Sequence, residues 1–241
     1  MKIYDSLIKD ICGILKDSPS HSWDFNPQKG WHDIGEHEVV LLQDTAFEMG
    51  GQGLAAANCL CVTSDEKLVG KDRVVLFGED LNRIKQNCPF ARITLASVTN
   101  IDGDEDAVYR QIKDIEFAKY RIYPEGYMMR ISAENYREQV RISKKAVKAG
   151  ISFEYVGNGF ISEYKRNASV KNVCVIFITG NADFDKITAL AKKANDMTAA
   201  LCHIMDGIAA NCGSCNLKEL CNEVEGLKEL HFKHNKKHTV N

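Results

Sequence analysis

The chain has 241 residues, 44% of them hydrophobic, with 31 basic against 33 acidic side chains and a formal net charge of −2. That length suffices to bury a sizeable core in one large domain or two small ones. The charge balance supplies no long-range attraction to nucleic acid or an anionic membrane, so neither is expected as a partner.

The first residues, Met1 to Asp5, interrupt any apolar run within a few positions, so no signal-peptide core is expected. No stretch approaches the roughly 18 apolar residues of a membrane span. Both features predict a cytoplasmic protein.

Ile3, Leu7, Ile8, Ile11 and Leu15 recur at helical spacing and predict an amphipathic helix over 3–16, with Cys12 packed on or beside its apolar stripe. Residues 17–36 hold Pro19, Pro27, Gly30 and Gly35 and read as a loop. Trp23, Phe25 and Trp31 are expected to clamp that loop to the body. A short strand over 39–42 leads to Met49-Gly50-Gly51-Gln52-Gly53. This glycine spacing is neither the dinucleotide fingerprint nor a P-loop, and a tight turn is its expected form. The run RVVLF at 73–77 is a buried strand ended by Gly78, and 81–86 reads as a short helix. Cys88-Pro89 opens the next strand, 91–98, followed by an acidic turn over 100–105. A helix over 106–119 places Val108, Ile112, Ile115 and Phe117 roughly on one face. Residues 125–135 also read as helical. A short strand at 140–142 runs into a helix over 143–149 that Gly150 stops. Another helix covers 153–166. NVCVIFIT at 172–179 is a continuous apolar run, as in a strand covered on both faces, and a long helix follows over 183–209.

Buried strands alternating with helices predict an α/β fold with a largely parallel sheet covered by helices. The expected divisions are an N-terminal helix and loop, 1–36, an α/β domain, 37–200, and a cysteine-bearing helical appendix with a tail, 201–241. The basic run over 231–238 reads as a solvated or frayed end.

Nine cysteines are many for a cytoplasmic chain, where disulfides are rare and clustered thiols point to metal or redox chemistry. Cys212-Gly213-Ser214-Cys215 is followed by Cys221 and preceded by Cys202. Two cysteines separated by Gly-Ser let the chain curl around one metal centre, and Cys221 can close a third side. These thiolates suit a [4Fe–4S] cluster, with zinc or a redox C-x-x-C pair as alternatives. An unbroken helix would hold Cys202 about 15 Å from Cys212, too far for one cubane. Gly207 can break it; otherwise His203, Cys59 or Cys61 would supply the fourth ligand. Cys59 and Cys61 fall on one face if their segment is a strand, where packing is the expected role. Cys174 reads as core, and Cys88 fits either role.

RVVLFGED at 73–80, the turn to Asn87, Pro89-Phe90, VRISKKAVKAGISFEYVG at 140–157 and NVCVIFIT together resemble a known family. It is the β subunit of the carbon monoxide dehydrogenase/acetyl-CoA synthase complex, in its amino-terminal α/β region, and the likeness spans about 38–195. Gly50-Gly51 fits that family's early loop. The resemblance implies a spacer and docking body, with contacts to coenzyme A or a redox partner. Arg137, Arg141, Lys144, Lys145 and Lys148 form a basic group that could meet an anionic cofactor or an acidic ferredoxin, or else a solvated helix face. The family's nickel–iron–sulfur centre lies in a later domain and includes a C-G-C pair. This chain has no such pair, so a short form lacking the nickel-cluster domain is expected.

Three functions follow as expectations. The first is an accessory, docking or electron-transfer iron–sulfur protein of anaerobic one-carbon metabolism, with a redox protein or larger enzyme complex as partner. The second is an enzyme whose cluster keeps one iron open as a Lewis acid, with Asp206, His203 and Glu223 as nearby acid–base groups. The third is a binding module stapled by structural zinc.

Overall fold

The computed structural model describes residues 2–35, 40, 44–51, 53–99, 105–132 and 136–205, with side chains for all of these except 105–109 and 201–205. Helix α1, Asp5–Leu15, buries Leu7, Ile8, Ile11 and Leu15. Strands β1, His21–Asp24, β2, Thr45–Met49, and β3, Ala56–Thr63, follow, then the one-turn helix α2, Glu66–Val69. Next come β4, Arg73–Phe77, β5, Phe90–Val98, and helix α3, Glu105–Phe117, which tightens into a 3-10 turn, Ala118–Tyr120. Strands β6, Tyr127–Ile131, and β7, Glu138–Ser143, lead to α4, Lys144–Ala149, and α5, Phe153–Tyr164. Strand β8, Val170–Ile178, and the long helix α6, Phe184–Met205, complete the described chain.

Local chemistry sets these boundaries. Ser143 and Ser152 cap α4 and α5 by accepting from the Ala146 and Tyr155 amides at 3.0 and 3.3 Å. Gly150 stops α4 in the left-handed conformation, φ 91°.

Five strands form the main sheet in the order β1-β4-β8-β5-β3. The expected largely parallel sheet is corrected here to a mixed one. β4 pairs parallel with β8, and β3 parallel with β5. β8 and β5 are antiparallel to each other, as are β1 and β4. Strands buried on both faces are continuously apolar whichever way they run, so the apolar runs did not reveal direction. A second, antiparallel sheet has the order β2-β7-β6.

On one face of the main sheet α5 packs over β4 and β8, and Gly157 allows the close approach. A Cβ there would sit 2.5 and 2.7 Å from the Val74 methyls. Phe153 and Phe177 stack at 4.4 Å in that layer. Helix α1 lies on the opposite face, where its Asp5 carboxylate accepts from the Thr63 hydroxyl at 2.7 Å. Helix α6 runs along the edge strand β3.

Other expectations need correction. The segment over 125–135 holds a strand, β6, because Tyr127 to Ile131 pair with β7. Residues 81–86 form a turn closed on the Asp80 carbonyl, rather than a helix. The loop over 17–36 contains the edge strand β1, too short and polar to show alternation. Trp23, Phe25 and Trp31 do pack against the core. Cys12 is exposed, one residue and about 100° past Ile11 on the helix. Phe117 is 52% exposed, since five residues from Ile112 carry it off the apolar face. The strand expected over 39–42 and the acidic turn over 100–105 lie almost wholly outside the described residues.

Candidate functional site

Cys212, Cys215 and Cys221, together with Asp206 and Glu223, lie outside the described residues. Cys202 and His203 are in the last turns of α6. Seven residues separate Cys202 from Asn195, about 10 Å along the axis. Among the described residues no three His, Cys, Asp or Glu side chains are grouped to hold a metal ion.

The sheet cysteines have a different role. Cys59 and Cys61 share one face of β3, as the period-2 argument requires, and both are buried, as is Cys174 on β8. The Cys61 thiol is raised well above its ordinary pKa by its hydrogen bond with Cys59 and by burial. Burial pushes the Cys174 thiol up to about 11. All three thiols pack the core, the role expected of them.

The concentrated interior chemistry is a charge network between the two sheets, which the sequence did not reveal. Glu138 opens β7 and reaches into the main sheet. Its carboxylate accepts from Arg92 Nε at 3.0 and 3.1 Å and from Arg92 Nη2 at 2.8 Å. Both side chains are 0% exposed. The Asn58 amide, paired with Arg92 across β3 and β5, donates to the same carboxylate at 2.5 Å. Lys119 Nζ bridges Asn58 Oδ1 and Glu116 Oε1, each at 3.4 Å. The Arg92 guanidinium also lies 4.1 Å from the centre of the Phe160 ring. Burial works against the Arg92 charge, but Glu138 more than offsets it, and the pKa is raised. Burial lowers the Lys119 pKa, with Glu116 opposing. Tyr127 and Tyr164 flank the pair and are both raised, chiefly by burial. A polar residue in a central strand such as Arg92 was the available signal, but its partner is 46 residues distant.

The glycine turn adjoins this network. Gly50 has φ 70°, and a Cβ would meet the Glu138 carbonyl oxygen at 2.5 Å. Only glycine fits here, where the chain leaves β2 of one sheet for β3 of the other. The Leu54 amide donates to the Gly51 carbonyl at 3.0 Å, the tight turn expected here.

The basic group is largely engaged. Arg137 donates to the Leu54 and Gly50 carbonyls at 2.7 and 3.3 Å. Arg141 pairs with Glu48 at 2.5 Å and Lys145 with Glu125 at 2.9 Å. Lys144 and Lys148 are exposed on α4.

These features define a two-sheet α/β body whose interior charges join its sheets and whose sheet thiols are sequestered. No helix among the described residues is long and apolar enough to cross a membrane. The family of the CO dehydrogenase/acetyl-CoA synthase complex beta subunit matches residues 33–184, and the chain belongs to that family. The match takes in both parts of the charge network and all of β2 to β8. It stops at the start of α6, so Cys202 and the cysteines beyond it are outside the matched region. No curated protein matches the chain.

Proposed function

We propose that this chain is an accessory iron–sulfur protein of the carbon monoxide dehydrogenase/acetyl-CoA synthase system, which docks to a larger enzyme or passes electrons to a redox partner. Cys202, Cys212, Cys215 and Cys221 are the proposed ligands of one [4Fe–4S] cluster. The observation that carries this reading is the division of the thiols. Cys59, Cys61 and Cys174 are locked in the core, whereas Cys202 lies near the end of α6 and is followed in the sequence by Cys212, Cys215 and Cys221. A soft, all-thiolate donor set suits an iron–sulfur cluster.

The family membership supports a role within a multi-subunit assembly, and the α/β body acts there as the docking scaffold. We place the protein in the cytoplasm, where reduced thiols persist. The proposed units are the helix and loop over 1–36, the α/β body over 37–200 and the cluster segment over 201–241.

Anaerobic purification with iron and sulfide analysis tests this reading. About four irons and four sulfides per chain are expected, with a broad brown absorbance that dithionite bleaches. Cys215→Ser should lower the iron content at least twofold without altering the far-ultraviolet circular dichroism. One zinc per colourless chain would instead favour the structural-zinc module. A chain free of metal would remove the cluster altogether.

A further inference from the structure

Phe117 and Tyr120 are the large hydrophobic side chains left exposed among the described residues, at 52% and 41%. Their rings lie 6.0 Å apart, where α3 tightens into its last turn. Arg110 is exposed two turns before Phe117, on the same face of α3. The acids beside the aromatic pair are each held by two cations. Glu116 pairs with Lys113 at 3.2 Å and Lys119 at 3.4 Å, and Glu163 with Arg166 at 2.9 Å and Arg121 at 3.8 Å. The patch therefore combines aromatic rings with a surplus of positive charge, and Arg121 and Arg166 stand exposed at its margin. Aromatic and arginine side chains are the types enriched where proteins dock.

The sequence after α6 supplies a complementary segment. In LKELCNEVEGLKEL, residues 217–230, Leu217, Leu220, Val224 and Leu227 recur at spacings of three, four and three, the period of one helical face. Four glutamates against two lysines give the segment a net charge of −2. We propose that residues 217–230 dock on Phe117 and Tyr120 of the same chain, with the leucines on the aromatic rings and the glutamates toward Arg110, Arg121 and Arg166. The connection is long enough. Asn195 of α6 and Glu116 line one small cavity, and Met205 is ten residues, about 15 Å, further along that helix. The eleven residues from Asp206 to Asn216 reach up to roughly 36 Å when extended. A segment of the same chain also arrives at an effective concentration that a separate partner would have to match. The inference goes beyond the cluster reading and makes no use of a metal.

Hydrogen exchange of the full-length protein, read by mass spectrometry, tests the docking. Amides over 217–230 should exchange at least tenfold more slowly than those of an unstructured peptide, at every protein concentration. Phe117→Glu changes an exposed position, so exchange in β8 should stay as it is while protection over 217–230 falls at least threefold. Arg110→Glu should act likewise, and about 0.5 M salt should act in the same direction by screening. Unprotected amides, or protection that Phe117→Glu leaves intact, would overturn the proposal. So would protection that grows with protein concentration, because a second copy would then be the occupant. Iron is measured on the same samples, which separates this inference from the cluster. Protection lost in Cys215→Ser but kept in Phe117→Glu would assign the order to the cluster and sink the docking. Iron retained in Phe117→Glu while protection is lost would support the docking independently of the cluster.

Discussion

Glu138→Gln preserves the shape of the side chain but removes the charge that balances Arg92. Both groups are fully buried, and Arg92 would keep its guanidinium with no carboxylate within reach. Breaking a buried pair by removing one partner costs about 3–5 kcal/mol. For a domain of this size that corresponds to a fall in melting temperature of roughly 6–20 °C. The double variant Arg92→Met, Glu138→Leu removes both charges. It leaves the Asn58 amide without its acceptor, a cost of about 1–3 kcal/mol, partly offset by apolar packing against Phe160. The double variant is therefore expected to lie within about 2 kcal/mol of the wild type. Urea unfolding at neutral pH, with midpoint and slope compared across the wild type, both singles and the double, measures the coupling. A loss below about 1 kcal/mol in Glu138→Gln would refute the account. So would a double variant as unstable as the two singles added together.

Gly50→Ala forces a left-handed φ on alanine and drives its Cβ toward the Glu138 carbonyl; a loss of at least about 2 kcal/mol is expected by calorimetry. Gly157→Ala should cost about 1–3 kcal/mol by overpacking α5 on Val74, visible as a lower urea midpoint. Among the described residues the buried Tyr127 hydroxyl has no hydrogen-bond partner, so Tyr127→Phe should be neutral or stabilising by up to about 1 kcal/mol in the same assay. Stability should fall as pH rises above about 10. Tyr4, Tyr127 and Tyr164 are raised when folded, so the unfolded chain releases protons first, at up to about 1.4 kcal/mol per pH unit for each tyrosine. Tyr127→Phe should reduce that slope, and equal slopes would remove Tyr127 from the explanation. Native-state alkylation followed by mass spectrometry should modify Cys12 and spare Cys59, Cys61 and Cys174.

The sequence by itself determined the elements whose signals are local. Helix α1 showed its apolar stripe, α4 its glycine stop, and β4, β5 and β8 their apolar runs. The order of motifs from RVVLFGED to NVCVIFIT also carried the family resemblance, because the same local pieces recur in the same order. Strand direction and pairing were decided only by the tertiary structure. Nothing in residues 127–131 distinguishes a helix from a strand until β7 supplies its backbone hydrogen bonds. The charge network was equally hidden: Arg92 and Glu138 each look like an ordinary surface charge until two sheets close over them and the low-dielectric interior makes each depend on the other.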